Sequence, residues 1–274
     1  MPERKTRTGM PEPESGAVCV YKPRGASSFA AVRALRREFS FKKVGHAGTL
    51  DPLAEGLLIL GFGRGTKSLP LLQGLKKTYR AIFALGSESS TEDSEGALRP
   101  QGAREARIIR SLTYRSLAGA AKKFTGPISQ TPSRFSALHF EGKRAYDLAR
   151  SGQDFDLDPR PVEIYSFKIG RLFPLPRGEA QKMLGKRWNG QAALLECEVS
   201  CSKGTYIRAL ARDFGRELGC GAYLFFLQRS KIGPFSLKDC ASCRLEGKRV
   251  FIDRSQALAK MMDLPSLQRR LEKK

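Results

Sequence analysis

The sequence has 274 residues, 41% of them hydrophobic and 28% charged, as in an ordinary globular protein with room for a sizeable core. Its 49 Lys and Arg residues against 27 Asp and Glu residues give a net charge of +22, and the basic residues recur along the chain. This balance favours a long nucleic-acid partner over one small anion, although a basic surface that serves only solubility would look the same. No run approaches the ~18 apolar residues of a membrane span. Six cysteines are too few for a disulfide scaffold, so we expect a cytoplasmic protein that binds no membrane.

The predicted elements begin after a polar leader, residues 1–16, which is rich in Pro and Glu and is expected to be disordered. AVCVYKP then predicts a strand that ends at its proline. SSFAAVRALRREFS predicts a helix that one of its first two serines can cap. The expected apolar face of this helix consists of Phe29, Val32, Leu35 and Phe39. A glycine-rich loop follows, then the buried-strand pattern GLLILGFG, the short helical piece TKSLPLLQGL and the strand KTYRAIFALG.

In the second half of the chain, SLAGAAKKFTG predicts a helix, and PVEIYSFKIGRLF and NGQAALLECEVSCS predict strands. TYIRALARDFGRELG is the clearest helix, because apolar residues recur along one face until a glycine ends it. GAYLFFLQRSKIGPFSL returns to a strand. Strands outnumber helices and most connections are too short for parallel crossovers. We therefore expect the α+β class, with a mixed, largely antiparallel sheet and flanking helices.

The common catalytic motifs give little guidance. No phosphate-binding GxxxxGK[ST] loop, GxSxG or HExxH is present. Cys240 and Cys243 form a CxxC without the further ligands that zinc needs, so no metal is expected. With only His46 and His139 in the chain, a Ser/His/Asp triad is not excluded, but nothing points to one. What remains is a lone carboxylate, Asp51, in a loop of unusual composition.

That loop reads GHAGTLDPLAEG, residues 45–56. Its glycines permit positive φ angles or the close approach of another backbone, and Pro52 restricts Asp51 to an extended conformation. The loop therefore presents the Asp51 side chain stiffly, just before a buried strand. An Asp-Pro pair is also a common turn starter, and a histidine such as His46 usually serves as a structural hydrogen-bonding group.

Further motifs flank this loop. KPRGASSF precedes it, and GRGTKSLPLLQGLKKTYRAIFALG follows. GPISQTPSRFSALHFEGKRAYDLARSG and CSKGTYIRALARDFGRELGCGAYLFFLQRSKIGPFSL come later in the chain. Together with the loop, these segments resemble the TruB-type tRNA pseudouridine synthases. The resemblance covers about residues 18–240, with four motifs in the order of the family. It implies the pseudouridine synthase fold and the isomerisation of a uridine in the T loop of tRNA, at position 55, without cofactor or metal.

The resemblance also implies the catalytic residues. Asp51 matches the catalytic aspartate of the family, and Arg208 matches the arginine paired with it. Tyr79 matches the tyrosine that stacks on the target base and takes part in proton transfer. Such chemistry needs an ionised carboxylate, held in position, and a base taken out of its stack. A surface arginine and a cross-strand packing tyrosine are the plainer interpretations of Arg208 and Tyr79.

Further residues are implied to bind the substrate. Tyr206 and Leu227 match residues that line the base pocket, and His46 matches the histidine that enters the space left by flipped bases. Lys22 matches the lysine of the first motif, for which packing at a strand end is an equally good interpretation. The segment from about 126 to 161 corresponds to an RNA-clasping insertion.

That insertion carries the basic residues Lys143 and Arg144, which are suited to phosphates, together with Arg150 and Arg160. It also departs from the family pattern: Phe135 occupies the place of a tyrosine, and His139 that of a lysine. These departures concern local RNA contacts and leave the chemistry intact.

The expected organisation is a catalytic domain over residues 17–240 and a short basic segment over 241–274. Only 37 residues follow Leu237, too few for the PUA-type RNA-binding domain of many relatives, which we expect to be absent or vestigial. We expect a monomer that acts on the T arm of tRNA without a guide RNA or an obligate protein partner. Two alternatives remain: a non-catalytic RNA-binding protein on the same scaffold, and the guide-RNA-dependent branch of the superfamily.

Overall fold

The structure is a computed structural model that describes residues 13–272, except residues 101, 137, 141, 146–147, 149–150, 152, 154 and 176–191. The side chains of residues 100, 139, 140, 143 and 144 also lie outside the description. The predicted leader therefore lies mostly outside the described residues, as does Arg150. No helix among the described residues is long and apolar enough to cross a membrane.

Strands and short helices alternate through the first half of the chain. The elements are β1 (Gly16–Lys22), α1 (Ser28–Phe39), β2 (Val44–His46), β3 (Glu55–Phe62), a 3₁₀ turn (Gly63–Ser68), α2 (Leu69–Gly74), β4 (Lys77–Leu85), β5 (Ser87–Ser89), β6 (Leu98–Pro100), α3 (Ala103–Ser111) and α4 (Tyr114–Lys123). The expected strands and helices of this region are thus present.

Longer strands follow in the second half. The elements are β7 (Gly126–Gln130), β8 (His139–Phe140), β9 (Lys143–Arg144), β10 (Arg160–Leu175), β11 (Ala192–Cys201), α5 (Ile207–Leu218), β12 (Ala222–Ile232), β13 (Phe235–Ser236), a 3₁₀ turn (Leu237–Asp239), β14 (Cys243–Glu246), β15 (Arg249–Ile252), α6 (Arg254–Lys260), β16 (Met262–Asp263) and α7 (Leu264–Glu272). Gly219, at φ 74°, ends α5 as predicted.

The chain divides into two compact units. Unit 1 comprises the described parts of Met1–Tyr79 and Leu227–Lys274, and unit 2 comprises those of Arg80–Phe226. In unit 1, β3 pairs antiparallel with β1 along its length, from Gly16 opposite Phe62 to Lys22 opposite Gly56. Strands β2 and β16 pair antiparallel with β3 and β1, respectively, whereas β12 runs parallel to β3. The sheet is mixed, as expected.

Alternate side chains of β1 and β3 point to the two faces of this sheet and form two apolar clusters. On one face, Leu58, Leu60 and Phe62 pack with α1 and with Val250 and Ile252 of the β14–β15 hairpin. On the other face, residues such as Leu57 and Ile59 pack with α2 and α7. The segment that the sequence analysis set apart as 241–274 thus supplies core side chains to unit 1.

Helix α1 begins as predicted, because the Ser27 side chain accepts a hydrogen bond from the Ala30 N–H. The prediction that Phe29 belongs to its apolar face is wrong, because Phe29 is 54% exposed. Leu35 lies at the middle of the buried side of the helix. Phe29 is six residues before Leu35, so its side chain points about 120° away from that side. Val32, Leu35 and Phe39 are buried as expected.

In unit 2, β10 pairs antiparallel with both β11 and β7. Three aromatic rings pack beside these strands: the Phe167 ring lies 5.2 Å from that of Phe214 and 6.0 Å from that of Phe83, measured between centroids. The predicted insertion, residues 126–161, contains β7 and the two-stranded pair β8–β9, in which His139 lies opposite Arg144. A small apolar cluster that includes Phe155 and Leu157 packs within it.

Candidate active site

The loop that carries Asp51 joins β2 to β3 in unit 1. His46 ends β2, Glu55 begins β3, and the backbone between them makes a turn in which the Ala54 N–H donates to the Asp51 carbonyl at 3.1 Å. Asp51 is therefore a turn residue, as its sequence allows, and its side chain is half-buried. The turn residue and the candidate catalytic residue are the same, so the interpretation of Asp51 as a turn residue does not exclude a catalytic role.

Two glycines permit the path of this loop. Gly48 has a φ of +95° and Gly56 a φ of +106°, a conformation that other residues rarely adopt. A Cβ atom on Gly56 would lie 2.5 Å from the carbonyl oxygen of Arg229 on the neighbouring strand β12. The glycines therefore allow the start of β3 to lie directly against β12.

The buried guanidinium of Arg229 holds the loop from one side. Arg229 is 1% exposed and donates from Nε to the Leu57 carbonyl at 2.8 Å. Its two terminal nitrogens reach the carbonyls of Thr49 and Gly48 at 3.3 and 3.2 Å. One planar fork thus fixes three backbone positions around Asp51. Arg229 was not predicted from the sequence; the apolar run AYLFFL in its strand was the available signal.

Contacts from the β1–α1 region hold the loop from the other side. The Ser28 hydroxyl accepts from the Leu50 N–H at 2.8 Å and lies 3.0 Å from the Leu50 carbonyl. The Gly25 N–H donates to the Pro52 carbonyl at 2.7 Å. The residues on either side of Asp51 are therefore both hydrogen-bonded to the segment that leads into α1.

Lys22 adds a buried cation to the same region. Its ammonium donates to the carbonyls of Ala26, Pro23 and Pro52 at 2.6, 3.0 and 3.4 Å, and the residue has no exposed surface. Burial lowers the pKa of Lys22 to about 8, and the negative charge of Asp51 partly opposes this shift. Lys22 thus acts as a hydrogen-bonded brace for the loop, in keeping with the packing interpretation of this residue.

The second carboxylate of the loop is that of Glu55. It accepts hydrogen bonds from the Tyr21 hydroxyl at 2.6 Å and from the Gln228 amide at 3.0 Å. Burial and this carboxylate raise the pKa of Tyr21 to about 12. Glu55 therefore serves the framework of the site.

His46 lies at the end of β2 with a half-buried side chain. Burial lowers its pKa, and the positive charge of Arg229 lowers it further. The ring is therefore neutral at pH 7. Its Nδ1 is buried, and a backbone contact with Gly48 partly opposes the lowering of the pKa. A neutral ring is suited to lie beside bases, which is the role that the resemblance implies.

Tyr79 on β4 and Leu227 on β12 also belong to unit 1. Both side chains are buried, at 9% and 8% exposure. This burial is expected if Tyr79 and Leu227 only pack against neighbouring strands, and it is equally expected if they line a pocket.

In unit 2, the candidate residues gather at the start of α5. Arg208 is 6% exposed, and its Nη1 lies 3.4 Å from Oδ2 of Asp93, which is equally buried. The same guanidinium donates to the carbonyls of Thr91 and Phe135 at 3.3 and 2.8 Å. Arg208 is therefore not a plain surface arginine. Asp93 was missed because its segment, SESSTEDSEG, has the composition of an acidic surface loop.

Gln130 positions the residue that precedes α5. Its side-chain oxygen accepts from the Tyr206 N–H at 2.9 Å, and its amide donates to the Tyr206 carbonyl at 3.1 Å. Gln130 is 2% exposed, so these bonds are shielded from water. Tyr206 itself is half-buried at the N-cap of α5. This role of Gln130 was not predicted from the sequence.

The structure thus brings the candidate residues together in two groups. Lys22, His46 and Asp51 share the loop region of unit 1, and Tyr206 and Arg208 share the start of α5 in unit 2. Lys143 and Arg144 form β9, and their side chains lie outside the described residues. The pairing of Asp51 with Arg208 joins residues of different units and stays a prediction.

Several known proteins share much of this sequence. Residues 36–207 match the profile of the TruB family pseudouridylate synthase N-terminal domain. The chain is 41% identical over 253 residues to a tRNA pseudouridine synthase B of Bifidobacterium longum, in an alignment that covers 83% of this chain but 65% of that relative. It is 39% identical over 248 residues to a protein of the same name from Corynebacterium diphtheriae, covering 90% of this chain and 77% of the relative.

Solved structures share the fold. The chain superposes on one from the crystal structure of a Cbf5-Nop10-Gar1 complex with a TM-score of 0.57 at 22% identity, covering 88% of this chain and 58% of that one. A chain from an archaeal box H/ACA sRNP Nop10-Cbf5 complex gives 0.55 at 21% identity, with 88% and 58% covered. The expected α+β pseudouridine synthase fold is confirmed. The chain belongs to the TruB family of pseudouridylate synthases.

Proposed function

We propose that this protein isomerises a uridine in the T loop of tRNA, at position 55, to pseudouridine. Membership of the TruB family and the relatives named tRNA pseudouridine synthase B support this proposal. The observation that carries it is the loop around Asp51: Arg229, Ser28 and Lys22 hold its backbone, and this leaves the half-buried Asp51 carboxylate at its turn. Catalytic groups need such preorganisation by surrounding hydrogen bonds.

The reaction breaks the bond between N1 of uracil and C1′ of the ribose and forms one between C5 and C1′. C5 loses a proton and N1 gains one, so the atoms balance without any other reactant. A carboxylate can serve as a nucleophile at C1′ or C6, or stabilise positive charge at C1′, and either role requires the ionised form. We assign this role to Asp51.

The other predicted residues complete the proposed site. Arg208 pairs with Asp51 and keeps it oriented, since a guanidinium fork can contact Asp93 and a second carboxylate together. Tyr79 stacks on the flipped base. His46, uncharged at pH 7, fills the space that the base leaves.

The remaining proposed contacts lie around the base and along the RNA. Tyr206 and Leu227 line the base pocket. Lys143 and Arg144 contact phosphates of the T arm.

The test is an Asp51→Asn variant, assayed by release of tritium from a tRNA transcript labelled at C5 of uridine. The variant should release no tritium at the target position while it binds tRNA with an affinity within about threefold of the unmodified protein. Glu196→Gln, which removes an exposed carboxylate of unit 2 outside the predicted insertion, is the matched control and should react normally. Normal turnover by Asp51→Asn would contradict the assignment of Asp51. A wild-type protein that binds tRNA without releasing tritium would support a non-catalytic RNA-binding protein instead.

A further inference from the structure

The exposed side of α1 carries an aromatic ring followed by three arginines. Phe29, Arg33, Arg36 and Arg37 are all exposed and, at 100° per residue, occupy about 100° of the helix circumference. The guanidinium of Arg33 lies over the Phe29 ring, 5.2 Å from its centroid. The stripe runs about 12 Å along the helix, from the first turn to the last.

The β14–β15 hairpin continues this stripe beyond the end of α1. Three guanidiniums surround the ring of Phe251: those of Arg37, Arg244 and Arg249 lie 5.5, 5.3 and 5.3 Å from its centroid. Arg37 also donates to the Val250 carbonyl at 2.7 Å, which ties the helix to the hairpin. Together these residues form an arginine surface, which consists of Phe29, Arg33, Arg36, Arg37, Arg249 and Phe251.

The charge of this surface is largely uncompensated. Arg244 has a carboxylate partner in Glu246, at 2.6 Å. In the part of the chain that the structure describes, the four arginines of the arginine surface have no carboxylate within 4.0 Å. Arginines in the last turn of a helix interact favourably with its dipole, which accounts for Arg36 and Arg37. It does not account for Arg33 in the middle of the helix or Arg249 on the hairpin.

The arginine surface begins one residue after a contact of the loop of the candidate active site. Ser28, at the start of α1, is hydrogen-bonded to Leu50, the residue before Asp51. Phe29 is the next residue along the chain from Ser28, so the stripe starts near the loop and runs along α1 away from this contact. All of these residues belong to unit 1.

We propose that the arginine surface binds the RNA strand that adjoins the target uridine. Arg33, Arg36, Arg37 and Arg249 contact successive phosphates, and Phe29 offers its ring to an unpaired base. Guanidiniums pair well with phosphates, and a base can stack on an exposed aromatic side chain. This inference rests on the proposed function, since it requires that RNA enters at the Asp51 loop.

The first experiment compares two triple variants with the same change in net charge. Arg33→Gln/Arg36→Gln/Arg249→Gln removes charge from the arginine surface, while the exposed Arg37 is kept because it also holds the hairpin. The control, Arg104→Gln/Arg107→Gln/Arg115→Gln, removes three exposed arginines of α3 and α4 in unit 2. The dissociation constant of each for a tRNA transcript is measured as a function of salt concentration.

Each phosphate contact contributes about 0.7 (single strand) to 0.9 (duplex) to the slope of log affinity against log salt, equivalent to about five- to eightfold in affinity at 0.1 M salt. We expect the surface variant to bind tRNA between roughly fivefold and 500-fold more weakly than the wild type, with a salt slope lower by about 0.7 to 2.7. The control variant should bind at least several-fold more tightly than the surface variant. At saturating protein, the single-turnover rate of the surface variant should stay within about twofold of the wild type.

Phe29→Ala provides an independent test, because an exposed ring can be removed without disturbing the core. Loss of a stacked base predicts roughly 5- to 150-fold weaker binding with an unchanged salt slope. The inference is overturned if both Phe29→Ala and the surface variant bind tRNA like the wild type, or if the two triple variants weaken binding equally. A wild type that binds tRNA but forms no pseudouridine would instead contradict the proposed function and leave these affinity comparisons interpretable.

Discussion

The buried guanidinium of Arg229 is the contact around the Asp51 loop on which the geometry of the site depends most. Arg229 reaches the carbonyls of Gly48, Thr49 and Leu57 through one planar group. Two substitutions separate its shape from its charge. Arg229→Met removes both the charge and the hydrogen bonds, and Arg229→Lys keeps the charge but cannot form a planar fork.

The magnitude follows from the three carbonyls. A buried acceptor left without a donor costs about 1–3 kcal/mol, so Arg229→Met loses about 3–9 kcal/mol before relaxation. Removal of a buried cation returns several kcal/mol of desolvation cost. We therefore expect a net loss of about 2–4 kcal/mol in the free energy of unfolding. Arg229→Lys keeps a buried cation with its desolvation cost and loses most of the hydrogen bonds of the guanidinium. Its free energy of unfolding should therefore fall by at least as much as that of Arg229→Met.

The assays are urea denaturation and single-turnover pseudouridine formation. A shift of about 1 Å in the Asp51 loop predicts a rate loss on the order of 100-fold for both variants. Arg64→Met, at an exposed position in unit 1, is the control for loss of an arginine and should behave like the wild type.

The pKa of His46 gives a further readout, because the charge of Arg229 helps to lower it. Arg229→Met should raise this pKa, whereas Arg229→Lys should leave it low. With only two histidines in the chain, proton NMR can follow the titration. If Arg229→Lys has the stability and turnover of the wild type, the planar hydrogen bonding of Arg229 is not what holds the loop. An unchanged His46 pKa in Arg229→Met would refute the electrostatic part.

Three further predictions concern the framework of the site. Because burial lowers the pKa of Lys22 to about 8, the unfolded chain binds more protons between about pH 8 and pH 10.5, so this residue makes the free energy of unfolding rise with pH in that window. In urea denaturation, the stability of the wild type relative to Lys22→Met should therefore grow by up to about 3 kcal/mol across it, and a constant difference would contradict the shift. Gly56→Ala should lose about 1–3 kcal/mol or more in the free energy of unfolding, because Gly56 has a positive φ and lies against the β12 backbone. Gly74→Ala, with open space around its Cβ, should lose nothing in the same measurement. Gln130→Ala should lose about 1–3 kcal/mol and slow catalysis, because it removes the acceptor of the Tyr206 N–H, while the Tyr206 carbonyl keeps its bond from the Leu210 N–H; wild-type melting and turnover would show that the Gln130 bonds are unimportant.

Much of the local structure was predictable because it depends on neighbours in the chain. The helix Ile207–Leu218 has a continuous apolar face and a glycine directly after it, and the structure places both boundaries there. The strand preceding Pro23 and the one following the Asp51 loop were equally clear. The family also followed from the sequence, because four ordered motifs carry it.

The error at Phe29 shows where periodicity is insufficient. Positions 29, 32, 35 and 39 have helical spacing, but the buried side of α1 is set by what packs on it, namely the sheet and the β14–β15 hairpin. The rotation of the helix about its axis is therefore a tertiary property. The role of the residues after 240 is also a tertiary property. This segment is polar overall, so its sequence does not show that a few of its apolar side chains complete the two clusters of unit 1.

The sequence by itself determined the elements, the fold class and the residue on which the proposed chemistry centres. Asp51 stands out because the glycines around it permit unusual backbone angles and Pro52 restricts its own backbone, and both effects are local. The tertiary structure alone decided what holds that residue in place. Arg229 lies 178 positions after Asp51, and Asp93 lies 115 positions before its partner Arg208. Such contacts depend on chain segments that meet only after folding, because a buried charged group is stable only where distant segments supply its partners.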